Sequence, residues 1–434
     1  MAQFKQYQLK NGLSVLVVEM PGVHSVTSLV LCNTGSRYED PHQAGIAHFF
    51  EHIVFKGTAK YSSPQLLASS IDAIGADFNA FTSKEYTGYY VKSASQHLES
   101  SLDVLSDMLL CPLIKQADID REKGVIIEEI NMYKDTPMRY VADLFEQMAY
   151  ADFGLKHDIV GNKTTISAIK QSDFQTFLSS WYGLPNMLLV LAGDADVLHK
   201  DSTLKLVEEA FAKEPNQPRA TTKVTIENYF SKQPLSVERL YIEHKQTEQA
   251  HLILGWPGIS RHEDAMRPQL SILDTVLGGN MSSRLFSEVR EKRGLCYYVR
   301  SDTDMYHEVG LVGASAGVDP NRVFEAIEVI MNEFAQLAQS KKPITAAELV
   351  RAKEYIRGTM TLSFEDSRSV AQNYGLKQLL LNKVETLEES LARIQAVTLE
   401  EVNQLAVQLF AKAKPKLTVI GPFDQRDKFE NLIN

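Results

Sequence analysis

Short β-branched runs broken by turn residues open the chain, and these predict strands. Tyr7 to Lys10 leads into Asn11-Gly12, a dipeptide that favours a tight hairpin, and Leu13 to Val18 returns. Val26 to Leu31 predicts a third strand, closed by Gly35. The pattern then turns helical from about Gln43 to Phe55, with Pro41 where a first turn tolerates proline. Ser63-Pro64 opens another helix, stopped by Gly75. Phe78 to Val91 is rich in Phe, Thr and Tyr and predicts strand. Helices are expected near Gln96 to Leu110 and Asp118 to Tyr133, and another, capped by Ser172, before Gly183-Leu184-Pro185. Met187 to Ala192 is apolar throughout and reads as a buried strand.

Glu214 to Thr222 holds two prolines, polar residues and no periodicity, which marks a linker near the midpoint. Beyond it the same order of elements returns. Strands are expected near Glu238 to Ile242 and His251 to Gly255, then a helix from Asp264 to Leu277. Strands at Tyr297 to Thr303 and Leu311 to Gly317 precede helices at Arg322 to Ser340 and Ala346 to Thr361. A last strand, Leu417 to Ile420, mirrors Met187 to Ala192. The expectation is an α+β protein of two similar domains, 1–215 and 223–434, each a mostly antiparallel sheet packed with helices. A length of 434 residues supports this, because it is more than one core usually serves.

Composition narrows the function. The net charge of −10 is spread along the chain, without the basic face that nucleic acid needs. Cys32, Cys111 and Cys296 are few, odd in number and far apart, so neither a disulfide framework nor a thiolate metal site is expected. No apolar run approaches a membrane span, and the first residues lack the apolar core of a signal peptide. A cytoplasmic location and no membrane partner are expected.

The chemistry concentrates in His48-Phe49-Phe50-Glu51-His52. Residues three and four apart share a helix face. His48 and His52 therefore point one way and can grip one metal ion, with the Glu51 carboxylate beside it. Two imidazoles and a carboxylate suit Zn2+, and the order H-x-x-E-H is the inverted form of a zinc-peptidase motif. The flanking Ile46, Ala47, Phe49, Phe50, Ile53 and Val54 bury this helix, where two histidines and a glutamate without a cation would be costly. A third ligand is expected between Arg121 and Ile130. Glu122 and Glu129 lie two turns apart on one face, so one of them could ligate and the other support it.

These residues resemble the pitrilysin family of zinc peptidases, which includes insulin-degrading enzyme and the mitochondrial processing peptidase. Leu9-Lys10-Asn11-Gly12-Leu13 is similar to the family's opening hairpin, and Gly45 to Ile53 to its zinc helix. The resemblance covers essentially the whole chain. It implies Glu129 as third ligand, Glu122 as an important non-ligand glutamate, and Glu51 as general base. It implies further that Arg290 and Tyr297 contact substrate, and that Asn79, Ala80, Phe81 and Thr82 form an edge strand receiving the peptide. A two-domain subunit implies a clamshell dimer, a homodimer or else a heterodimer, with Arg290 and Tyr297 of one subunit completing the zinc site of the other. The activity implied is zinc-dependent endopeptidase action on short or unfolded peptides in a closed chamber. The alternative is a non-catalytic or partner subunit of a heterodimeric processing peptidase or assembly.

Overall fold

The structure, a computed structural model, describes residues 3–151 and 154–434. In the first part of the chain run β1 (Gln3–Gln8), β2 (Ser14–Met20), β3 (Ser25–Cys32), α1 (Ile46–Ile53), α2 (Pro64–Asp72), β4 (Asp77–Thr82), β5 (Thr87–Ala94), α3 (Leu98–Leu110), α4 (Gln116–Lys134), α5 (Pro137–Ala149), α6 (Lys163–Ala168), α7 (Gln171–Trp181), β6 (Met187–Asp194), α8 (Ala195–Leu198) and α9 (Asp201–Ala210). The remainder holds β7 (Leu240–His244), β8 (Ala250–Pro257), α10 (Arg267–Leu277), β9 (Cys296–Met305), β10 (Gly310–Val318), α11 (Val323–Ala338), α12 (Ala346–Ser363), α13 (Ser367–Leu381), α14 (Leu387–Ala396), α15 (Leu399–Phe410), β11 (Lys416–Gly421) and α16 (Arg426–Ile433). Two compact units result. One is formed by Met1–Asn131, His157–Tyr229 and Thr361–Thr386, the other by Met132–Lys156, Phe230–Met360 and Leu387–Asn434.

The first unit is built on a sheet of order β1-β2-β6-β3-β5-β4, with β4 at one edge. Only β2 and β6 pair in parallel, so the sheet is mixed. One face packs Leu16, Leu29, Leu31 and Val190 against Ala371 and Tyr374 of α13. The opposite face carries α3 against β3 and β5, with α1 seated by β4 and α7. Cover on both faces explains why β6 is buried at every position and apolar rather than alternating.

The second unit repeats the plan. Its sheet order is β7-β11-β8-β10-β9, again with one parallel pair, β7 and β11. Strand for strand this matches β2-β6-β3-β5-β4, so the repeated order read from the sequence is a repeated topology. One face joins Leu252, Leu254 and Val419 to α10, α11 and α15. The other receives α5, whose Val141 and Leu144 meet Ile420 and whose Phe145 and Met148 meet Leu311. Gly255 permits that contact, because a Cβ there would stand 2.4 Å from Phe145 Cζ.

Several expectations shift. The helix expected from Gln43 begins at Ile46, because Gly45 sits at φ +98 and Pro41 belongs to a separate short turn. The helix assigned to Ser172 is capped by Lys170, whose N–H donates to Asp173 Oδ2 at 2.7 Å. The stretch Phe78 to Val91 is a hairpin, β4 and β5.

Candidate metal centre

Helix α1 is fixed before any ligand is considered. Phe49 packs edge-on against Phe174 at 5.1 Å, and Phe50 against Tyr182 at 4.8 Å. Its N-terminus is held by the buried Glu39, whose Oε2 accepts from Gly45 N at 2.7 Å and Oε1 from Ala47 N at 2.8 Å. Those N–H groups have no partner within the helix, so the carboxyl group satisfies them. Burial pushes the Glu39 carboxyl up to about 8 against the pull of both N–H groups. Each oxygen keeps an acceptor lone pair in either protonation state, so the cap persists. Gly45 lies so close to the 160–161 backbone that a Cβ would meet Val160 O at 2.8 Å.

From α1, His48 and His52 project one turn apart, ring centroids 4.8 Å from each other. From α4, Glu129 reaches both: its Oε2 lies 3.6 Å from His48 Nε2 and 3.4 Å from His52 Nε2. Helix spacing alone left Glu122 and Glu129 open; these distances separate them. Glu122 lies on the other side of the His52 ring, with Oε2 3.4 Å from Nδ1 and Oε1 2.8 Å from Lys56 Nζ. A proton on His52 Nδ1 shared with Glu122 leaves the Nε2 lone pair facing Glu129 and His48.

The donor set fits zinc. His48, His52 and Glu129 each offer an atom, all within 4.8 Å of one another, and no other group of three among the described residues does so. Metal–ligand bonds of about 2.0–2.1 Å at tetrahedral angles separate ligand atoms by about 3.3–3.4 Å, close to the two distances above. Charge agrees. Burial would lower the His52 imidazole, but the Glu129 carboxylate, then Glu122 and Glu51, outweigh it and raise it. Such an excess of carboxylate is what a divalent cation offsets.

Glu51 sits on the same helix but points at β4, where Thr82 Oγ1 donates to its Oε2 at 2.6 Å. Burial raises the Glu51 carboxyl above its ordinary value, while Thr82 and His52 pull it down. Thus Thr82, picked out as part of an edge strand, also touches the candidate base. In that strand Asn79 is exposed, Ala80 buried, and Phe81 and Thr82 half-buried. Two residues the sequence did not single out are Lys56 and Glu39. A glutamate as buried as Glu122 calls for a cation, which was the available signal for Lys56.

Arg290 and Tyr297 belong to the second unit. Arg290 lies in a π-helical turn, Phe286–Glu291, its guanidinium 4.9 Å from the Phe286 ring centroid and 5.9 Å from that of Tyr297. Tyr297 is 73% exposed on β9, the edge strand of its sheet.

Two imidazole nitrogens and a carboxylate from neighbouring helices, with a further glutamate in the order H-x-x-E-H, define a zinc metallopeptidase of the inverted-motif class. The chain belongs to the insulinase family of peptidases, M16: a family model described as "Insulinase (Peptidase family M16)" matches residues 14–163, and "Peptidase M16 inactive domain" matches 168–356. It is 37% identical over 408 residues to YmxG, an uncharacterized zinc protease of Bacillus subtilis, covering 94% of this chain and 96% of that one. It is 35% identical to the uncharacterized zinc protease SCO5738 of Streptomyces coelicolor, covering 96% and 89%. In fold it is similar to a protease from Helicobacter pylori, with TM-score 0.87 at 22% identity over 97% of this chain and 100% of that one.

Proposed function

We propose that the protein is a zinc-dependent endopeptidase that cleaves short or unfolded peptides, with His48, His52 and Glu129 as metal ligands and Glu51 as general base. The observation that carries this is the convergence of His48 Nε2, His52 Nε2 and Glu129 Oε2 from two separate helices. Relatives named zinc proteases along nearly the whole chain support it. Bound zinc supplies Lewis acidity at the scissile carbonyl and makes water acidic enough to attack near neutral pH.

The chain's own groups do the rest. Glu51, steadied at Oε2 by the Thr82 hydroxyl, accepts a proton from the attacking water and returns it to the leaving nitrogen as the C–N bond breaks. Glu122 orients His52 through Nδ1 and is itself neutralised by Lys56. The substrate adds as a strand along the free edge of β4, at Asn79 to Thr82, so backbone rather than side chains is read and sequence tolerance is broad. Arg290 and Tyr297, from a second copy in a clamshell dimer, steady the peptide and the developing oxyanion. No helix among the described residues is long and apolar enough to cross a membrane.

The test is Glu51→Gln, which keeps volume and metal ligands. Zinc content should match wild type while peptide turnover falls by about 100-fold or more. Turnover at the wild-type rate would remove Glu51 from the mechanism.

A further inference from the structure

In the second unit, His262 and His307 meet at the surface. His262 Nε2 and His307 Nδ1 are 3.1 Å apart, with the rings nearly perpendicular at 81°. His262 is exposed and His307 half-buried. Each is held from behind. His307 lies at the tip of the β9–β10 hairpin, its ring stacked on Phe230 at 3.6 Å and 11°. His262 lies in a short turn, Arg261–Met266, which begins a few residues after β8. That turn is tied to the hairpin tip, since Arg261 N donates to Tyr306 O at 2.8 Å and the Arg261 guanidinium to Met305 O at 3.2 Å. One step earlier Gly258 N donates to Gly310 O at 2.8 Å. These bonds fix the backbone that carries both imidazoles, and the Phe230 stack orients the His307 ring.

We propose that His262 and His307 form a second metal site, a two-imidazole chelate for late first-row divalent cations such as Zn2+ and Ni2+. Bonds of about 2.0–2.1 Å place two nitrogens about 2.9 Å apart at a right angle and about 3.3–3.4 Å apart at a tetrahedral angle, and the observed separation lies between. Imidazole nitrogen selects these cations over Mg2+ and Ca2+, which take oxygen ligands. With two imidazole ligands, the site is weaker and exchanges faster than the three-ligand centre. It shares no residue with that centre, so its failure would leave the peptidase reading untouched.

Equilibrium dialysis of tag-free, full-length protein against excess ZnCl2, and separately NiCl2, with bound metal counted by mass spectrometry, tests this. Wild type should bind one equivalent more than His262→Ala and one more than His307→Ala. Peptidase activity at one equivalent of zinc should be the same in His262→Ala and wild type. Crystals soaked in ZnCl2 should show an anomalous peak between the two rings. Equal stoichiometry in all three proteins, or no peak there, would mean that the two rings share only a hydrogen bond, and the proposal falls.

Discussion

Replacing Glu122 by Gln should weaken zinc binding by 10- to 100-fold without unfolding the protein, and the reason can be worked out in steps. Glu122 is 4% exposed, with one oxygen on Lys56 and the other on His52 Nδ1. Glutamine keeps the shape and one acceptor, so Lys56 retains a partner. It removes a negative charge, and its amide then sets N–H against the N–H of His52. The Glu122 oxygen is 3.4 Å from Nδ1, and the ring plus a metal–nitrogen bond adds about 4 Å, so the lost charge is about 7 Å from the cation. At that distance a unit charge and a divalent ion interact by about 1 to 5 kcal/mol as the effective dielectric falls from about 80 to about 20. Partners behind a metal-ligating histidine are typically worth about 10–100-fold in affinity, or about 1.4–2.7 kcal/mol, inside that window. Titration against a chromophoric chelator gives the affinity, and circular dichroism of the metal-free variant checks the fold. An intact fold with zinc affinity within twofold of wild type would show that Glu122 does not orient His52.

Three further outcomes are expected. Gly45→Ala must place a side chain at φ +98 and 2.8 Å from Val160 O, so denaturant unfolding should show a loss of about 1–3 kcal/mol or more, with zinc affinity falling as α1 shifts; unchanged stability would disprove the tight approach. Burial raises the Asp274 carboxyl to about 6, so its contribution to stability is full below its unfolded value of 3.8 and is lost as pH rises through 6. Asp274→Asn should therefore stabilise the fold at neutral pH by about 1–3 kcal/mol and flatten the melting profile between about pH 4 and 6; an unaltered profile would contradict the burial argument. Finally, mixing Glu51→Gln chains with Tyr297→Phe chains should restore part of the activity if Tyr297 acts across a dimer, whereas confirmed subunit exchange without rescue would exclude that arrangement.

What the sequence revealed, and what it did not, follows from the range of the forces involved. The strands and the two sheets were legible because β-branched runs and turn dipeptides are local. The pair on α1 was legible because helix geometry converts a spacing of four into one face. Choosing between Glu122 and Glu129 was not possible from spacing, since both lie on the ligand-facing side of α4 and only tertiary placement puts one beside Nε2 and the other beside Nδ1. The start of α1 was misplaced because Gly45 adopts a left-handed conformation dictated by the neighbouring 160–161 backbone, a contact remote in sequence. Helices α5, α6, α8, α9, α13, α14, α15 and α16 were not anticipated. The Arg290 turn, Phe286–Glu291, is wound as a π-helix, and no local pattern signals that wider winding.

The grip of Glu39 on the start of α1 has a consequence for how the enzyme can be handled. Protein groups alone set the direction of that helix: a carboxyl at its N-terminus and aromatic rings along its flank. Small zinc-folded modules depend on the ion for their shape, but here the ligand cage stands on an independent scaffold. Stripping with a chelator should therefore be reversible, and cobalt or manganese should be exchangeable into the same cage while the chain stays folded.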